Sequence, residues 1–115
     1  MPAAGAGGLG PGISPRTAEQ IADVMFALSS PSRVEILGCL LAGPHSVGQM
    51  VDRLGMEQSA LSHQLRVLRD HDLVRADRRG RQRLYELRDE HVAALLEGAI
   101  RHVERRAATA TQDAV

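Results

Sequence analysis

Between Ser46 and Asp70 the chain carries two short runs of helical apolar spacing with only Gly55 as a break between them. Ser46-Val-Gly-Gln49 has the capping-box pattern, a serine at the cap and a glutamine three residues on. The helix it starts runs to about Leu54, with Val47, Met50, Val51 and Leu54 inward. Gly55 supplies a tight turn, and a second helix follows from about Glu57 to Asp70 on a stripe of Leu61, Leu65 and Leu68. Two helices joined so closely must cross and share a core, and everything else in the chain has to pack around that crossing.

The flanks are consistent with this. Ile21, Val24, Met25 and Leu28 repeat at i, i+3, i+4 and i+7, which predicts a helix over Thr17–Leu28. Ser30-Pro31 is a serine cap followed by proline at the first helical position, and a second helix runs to Leu41 before Gly43-Pro44. After Asp70 the period changes. Leu73–Asp77 and Gln82–Leu87 predict two short strands, the second alternating polar and apolar, with Arg78-Arg-Gly80-Arg81 as the hairpin tip. From Asp89 to about Arg106 a fifth helix carries Val92, Leu95, Leu96, Ala99, Ile100 and Val103 on one broad face.

The core must be aliphatic, because the chain has one Phe, one Tyr and no Trp. The expected fold is mainly α with a β-hairpin wing (an α+β, winged helix-turn-helix arrangement of five helices). The ordered domain is residues 17–106, preceded by a Gly/Ala/Pro-rich disordered arm at 1–16 and followed by a flexible tail at 107–115. The arm has neither the basic flank nor the apolar run of a signal peptide. No stretch approaches the roughly 18 apolar residues of a membrane span. Single Cys39 fits a reducing cytoplasm and lies in an apolar stretch, as a small core residue does. His45 is expected in a solvated loop, and His71 near a helix C-terminus.

Charge points to a binding face. The formal net charge is zero, yet residues 53–88 carry a net +4 while the segments on either side carry −2 each, and every basic residue is arginine. A helix-turn-helix places the second helix in a DNA major groove. Gln58, Ser59, Ser62, His63, Gln64 and Arg66 are donors or acceptors suited to base edges. Arg78, Arg79, Arg81 and Arg83 on the hairpin suit phosphates, which position without reading sequence. The expected partner is double-stranded operator DNA. No Gly-x-Ser-x-Gly, His-Glu-x-x-His or phosphate-binding glycine loop suggests an enzyme.

Met56-Glu-Gln-Ser-Ala-Leu-Ser-His-Gln-Leu-Arg-Val-Leu-Arg69 with Leu73-Val74 resembles the recognition-helix signature of the ArsR/SmtB family of metal-responsive repressors. Ala27–Leu37 is similar to that family's entry to its second helix, and Arg79–Leu87 to its wing. The resemblance implies a homodimer built on the first and fifth helices. Asp72 stands where the family usually has glycine, a left-handed position that Asp tolerates.

The resemblance also implies what is sensed. His91 and His102 are eleven residues apart, so they differ in direction by only about 20° but are separated by roughly 16 Å along a helix. One helix cannot bring both to one ion, whereas two antiparallel helices across a twofold axis can. Asp89, as a helix cap, could fold its carboxylate back toward His91. Asp89-x-His91-Val-x-x-Leu-Leu96 and Ala99-Ile-x-His102-x-Glu104 most resemble the nickel/cobalt-sensing members. The implied ligands are Asp89, His91, His102 and Glu104, for Ni²⁺ with Co²⁺ and Zn²⁺ as alternatives. Arg105 departs from the pattern, standing where those sensors have a second histidine. A second reading therefore keeps the same fold without a metal and with a protein co-regulator or organic ligand in its place. The family's Cys-x-Cys site is absent from Val47–Val51.

Overall fold

The computed structural model describes residues 12–113. Seven elements follow in order: α1 (Pro15–Ala27), α2 (Pro31–Leu41), α3 (Val47–Leu54), α4 (Gln58–Asp70), β1 (Val74–Arg79), β2 (Gln82–Leu87) and α5 (Glu90–Asp113). This is the five-helix winged helix-turn-helix architecture.

The caps explain the boundaries. The Ser14 hydroxyl accepts from the Thr17 N–H, so α1 begins at Pro15, two residues before the expected start at Thr17. Ser30 caps α2 with Pro31 behind it. Both halves of the Ser46–Gln49 capping box are formed. Gly55 closes α3 at φ +67°, and Asp72 takes φ +58° after α4, the left-handed turn its side chain tolerates. β1 extends through Arg78 and Arg79, which leaves Gly80 (φ +65°) and Arg81 as the tip of an antiparallel hairpin running from Val74↔Leu87 to Arg79↔Gln82.

Ile36, Leu37, Met50, Leu61, Leu65, Leu68 and Val74 are fully buried, with Ala27, Leu40, Leu73, Val92 and Leu96 around them. The crossing of α3 and α4 thus sits on α2, and α5 closes the core with its first turns only. Cys39 is buried among these residues, as its apolar surroundings imply.

Two expectations need correction. His45 is buried, at 9% exposure, and not solvated. Its backbone exchanges two hydrogen bonds with Tyr85, at 3.0 and 2.8 Å, adding a one-residue bridge to the hairpin. The ring is held at both ends: Nδ1 lies 2.7 Å from the Gly43 carbonyl and Nε2 3.2 Å from Arg53 Nη1. A carbonyl only accepts and a guanidinium only donates, so Nδ1 carries the proton. The second correction concerns the tail. Helix α5 continues past Arg106 to Asp113, because Ala107-Ala-Thr-Ala-Thr-Gln112 holds three alanines and a glutamine, all good helix formers, and no glycine or proline to stop it. The arm expected at 1–16 lies outside the described residues up to residue 11.

Candidate nucleic-acid interface and sensor helix

The free face of α4 follows from its buried one. Leu61, Leu65 and Leu68 fix the inward stripe, which turns Gln58, Ser59, Ser62, His63 and Arg66 outward, all exposed. With Glu57 these five line one shallow groove. A second cleft, lined by Ser62, Leu65, Arg66, Arg69, Arg83 and Tyr85, joins α4 to the wing. The Arg83 guanidinium stacks over the Tyr85 ring at 5.5 Å from its centroid, a cation–π contact that stiffens the wing root. Arg78, Arg79, Arg81 and Arg83 are all exposed. Arg79 is partly neutralised, with Nε 3.4 Å from Asp77 and Nη2 3.8 Å from Glu86.

Gln64 is placed differently from its neighbours. Half-buried, it accepts a 2.9 Å hydrogen bond from Arg33 Nη1. Arg33 also donates to the Ala27 carbonyl at 2.6 Å and the Phe26 carbonyl at 3.3 Å. These are carbonyls at the C-terminal end of α1, which a helix leaves without intrahelical partners. Gln64 therefore ties α4 to α1 through Arg33. At the far end of α4, His71 Nδ1 lies 2.9 Å from the Val67 carbonyl and Nε2 lies 3.7 Å from Asp23 of α1.

Arg69 and Glu57 belong to this face and were not singled out from sequence. Arg69 sits one helical turn beyond Arg66, so the spacing was available as a signal. Glu57 caps α4: Oε1 accepts from the Ala60 N–H at 3.0 Å and the Ser59 hydroxyl at 2.6 Å, and Oε2 from the Ser59 N–H at 3.2 Å. The Ser59 hydroxyl bond first, then the two backbone N–H groups, hold its carboxyl below the usual carboxylate range.

Helix α5 carries the other candidate residues. Asp89 caps it, with Oδ1 accepting from the His91 and Val92 N–H groups at 2.9 and 3.1 Å. The same oxygen lies 3.7 Å from His91 Nδ1, so the carboxylate does fold back beside the ring. The His91 ring is 88% exposed. His102 is exposed further along, in a shallow groove with Gly98, Arg101, Glu104 and Arg105. Among the described residues no three His, Cys, Asp or Glu side chains converge within the protomer. The donor set of two imidazoles and two carboxylates nonetheless suits a borderline divalent ion, and its outward placement leaves the rings open to a second chain. No single described helix is long and apolar enough to cross a membrane.

The family model for bacterial regulatory proteins of the arsR family matches residues 30–76. The chain is 50% identical over 92 residues to the HTH-type transcriptional regulator NmtR of Mycobacterium tuberculosis, spanning 80% of this chain and 77% of that protein. The solution structure of apo-NmtR superposes with a TM-score of 0.71 at 45% identity, covering 91% of this chain and 88% of that one. The homodimeric winged helix-turn-helix DNA-binding domain of Mb0332 from Mycobacterium bovis superposes at 0.75 with 30% identity, covering 84% and 93%.

Proposed function

The chain belongs to the arsR family of bacterial regulatory proteins, and from that premise we propose that it is a homodimeric repressor whose operator affinity is set by a divalent metal, nickel foremost, held between the two α5 helices. The family is one of transcriptional regulators. The observation that carries DNA reading is the continuity of the α4 groove with the arginine-bearing wing across the Ser62–Arg66–Arg83 cleft. Bases face Gln58, Ser59, Ser62, His63 and Arg66, and phosphates face the wing arginines and Arg69. Gln64 acts from behind, as a support. A mobility-shift titration at low and high salt tests this; binding that is absent at low salt overturns it.

The dimer is supported by two apolar overhangs. Ile21 and Met25 on α1 and Ile100 and Val103 on α5 are exposed, although Val92 and Leu96, on the same stripe of α5, are buried. Pairing α5 with its symmetry mate covers the stripe and brings His91 and Asp89 of one chain toward His102 and Glu104 of the other. Asp89, His91, His102 and Glu104 would hold the ion, which would supply a positive centre there. Asp89 orients His91, and its unused Oδ2 remains for ligation. A coupling of about 1–3 kcal/mol between metal and DNA would change operator affinity roughly 5- to 150-fold. Calorimetric titration of Ni²⁺, Co²⁺ and Zn²⁺ into wild type and the His91→Ala/His102→Ala double variant tests the site; equal affinity in both sinks it. Arg101 and Arg105 beside His102 favour a second reading, in which the same dimer answers to a protein or organic ligand. Unchanged operator affinity with all three metals would select it.

A further inference from the structure

Glu57 is a carboxylate in the middle of a face otherwise built to meet an anion. It caps α4 and lines the same groove as Gln58, Ser59, Ser62, His63 and Arg66. Three hydrogen bonds fix its orientation. A fixed negative charge there repels phosphate, so Glu57 cannot serve as a backbone anchor, and what it can meet is a hydrogen-bond donor.

Its bond to Ser59 extends this restriction to the neighbour. A serine hydroxyl has one proton and two lone pairs. In Ser59 that proton is committed to Glu57 Oε1 at 2.6 Å. What Ser59 presents outward is therefore lone pairs only, like the carboxylate itself. At the N-terminal end of the reading helix, the end that meets base edges in this class of motif, Glu57 and Ser59 offer acceptors only, on either side of the Gln58 amide, which can donate or accept. In the major groove cytosine presents the N4 amino donor, adenine an N6 amino donor beside the N7 acceptor, guanine two acceptors, and thymine an acceptor with a methyl group.

We propose that the Glu57–Ser59 pair is a specificity element that selects an amino-bearing base, cytosine first and adenine second, at one position of each half-site. The proposal rests on the DNA-reading function proposed above. The Ser59 hydroxyl has become part of an acceptor surface, and the glutamate excludes guanine and thymine by leaving their acceptors unpaired against a charge.

The test is selection of binding sites from a randomised duplex pool with the full-length wild type, Glu57→Gln and Ser59→Ala. The wild-type motif should hold one position per half-site at which cytosine, then adenine, exceeds guanine and thymine by about 5- to 150-fold. Glu57→Gln loses the charge and gains an amide donor, so the preference at that position should relax while the other positions keep their weights. Ser59→Ala should weaken the same position and leaves Glu57 its backbone bonds. Should circular dichroism show Glu57→Gln unfolded, Ser59→Ala decides alone. A motif without such a position, or unchanged weights there in the folded variants, overturns the proposal and leaves DNA binding standing. A pool from which the wild type enriches nothing overturns DNA reading itself.

Discussion

Val103 offers a direct measure of the assembly. It lies on the stripe that buries Val92 and Leu96, but it remains 61% exposed because α5 overhangs the protomer core. Complete burial of a valine is worth about 1.5 kcal/mol at the lower end of the usual range. The exposed share leaves about 1 kcal/mol to be gained at an interface. In a twofold interface each residue acts twice, so truncation removes about 2 kcal/mol per dimer, or roughly 30-fold in dissociation constant. Val103→Asp adds two carboxylates to the desolvated seam, so the loss should be at least that. Sedimentation equilibrium across a dilution series reads the constant, and the thermal transition checks that the protomer still folds. A Val103→Asp protein that folds and associates as tightly as wild type would refute the argument that the overhang exists to be covered by a second chain.

Other consequences are open to measurement. Arg81→Ala, at the wing tip, should weaken binding to all DNA sequences alike and reduce the log–log salt slope by about 0.9 for each copy in contact; titrations at four salt concentrations read it. The same change at Arg79 should do less, because Asp77 and Glu86 already share its charge. Leu65→Ala, beneath the reading face at 1% exposure, should cost about 2–5 kcal/mol in urea unfolding. The Glu57 carboxyl is lowered in the folded state, so its stabilising effect is complete above its ordinary value of 4.5 and is lost as pH falls through the lower folded value. The stability gap between wild type and Glu57→Gln should therefore narrow as pH falls below 4.5, as followed by urea midpoints.

Local chemistry explains which parts were legible in the sequence. Ser30-Pro31, Ser46 with Gln49, Gly55, Asp72 and Gly80 each act within three or four residues of themselves, and all adopt a geometry open to their residue type. The outward face of α4 was legible because three leucines settle which way the helix turns. His45 was not, because its partner Tyr85 lies forty residues on and nothing near Pro44 signals the bridge. Gln64 sits on the boundary between the outward and inward faces, where helical spacing alone cannot say which side claims it; Arg33 decides. The helix beyond Arg106 has neither an apolar stripe nor a stop signal, so periodicity is silent there and propensity governs. The α5 residues are legible as ligand types only, since the geometry that would unite His91 with His102 belongs to two chains.

The bridge between His45 and Tyr85 has a mechanical consequence. The wing root is sewn to the start of α3 through two backbone bonds, and the His45 ring is gripped by Gly43 and Arg53. The wing is thereby fastened to α3, on which the reading helix packs in the shared core, so the three form one head. Such a head has little shape of its own to change, and in a two-headed assembly the adjustable quantity is the gap between heads. DNA measures that gap with a fixed ruler, about 34–36 Å from one major groove to the next on the same side. In the dimer proposed above, control would then reduce to a length: a small rotation about the shared helices would take both heads off the ruler together.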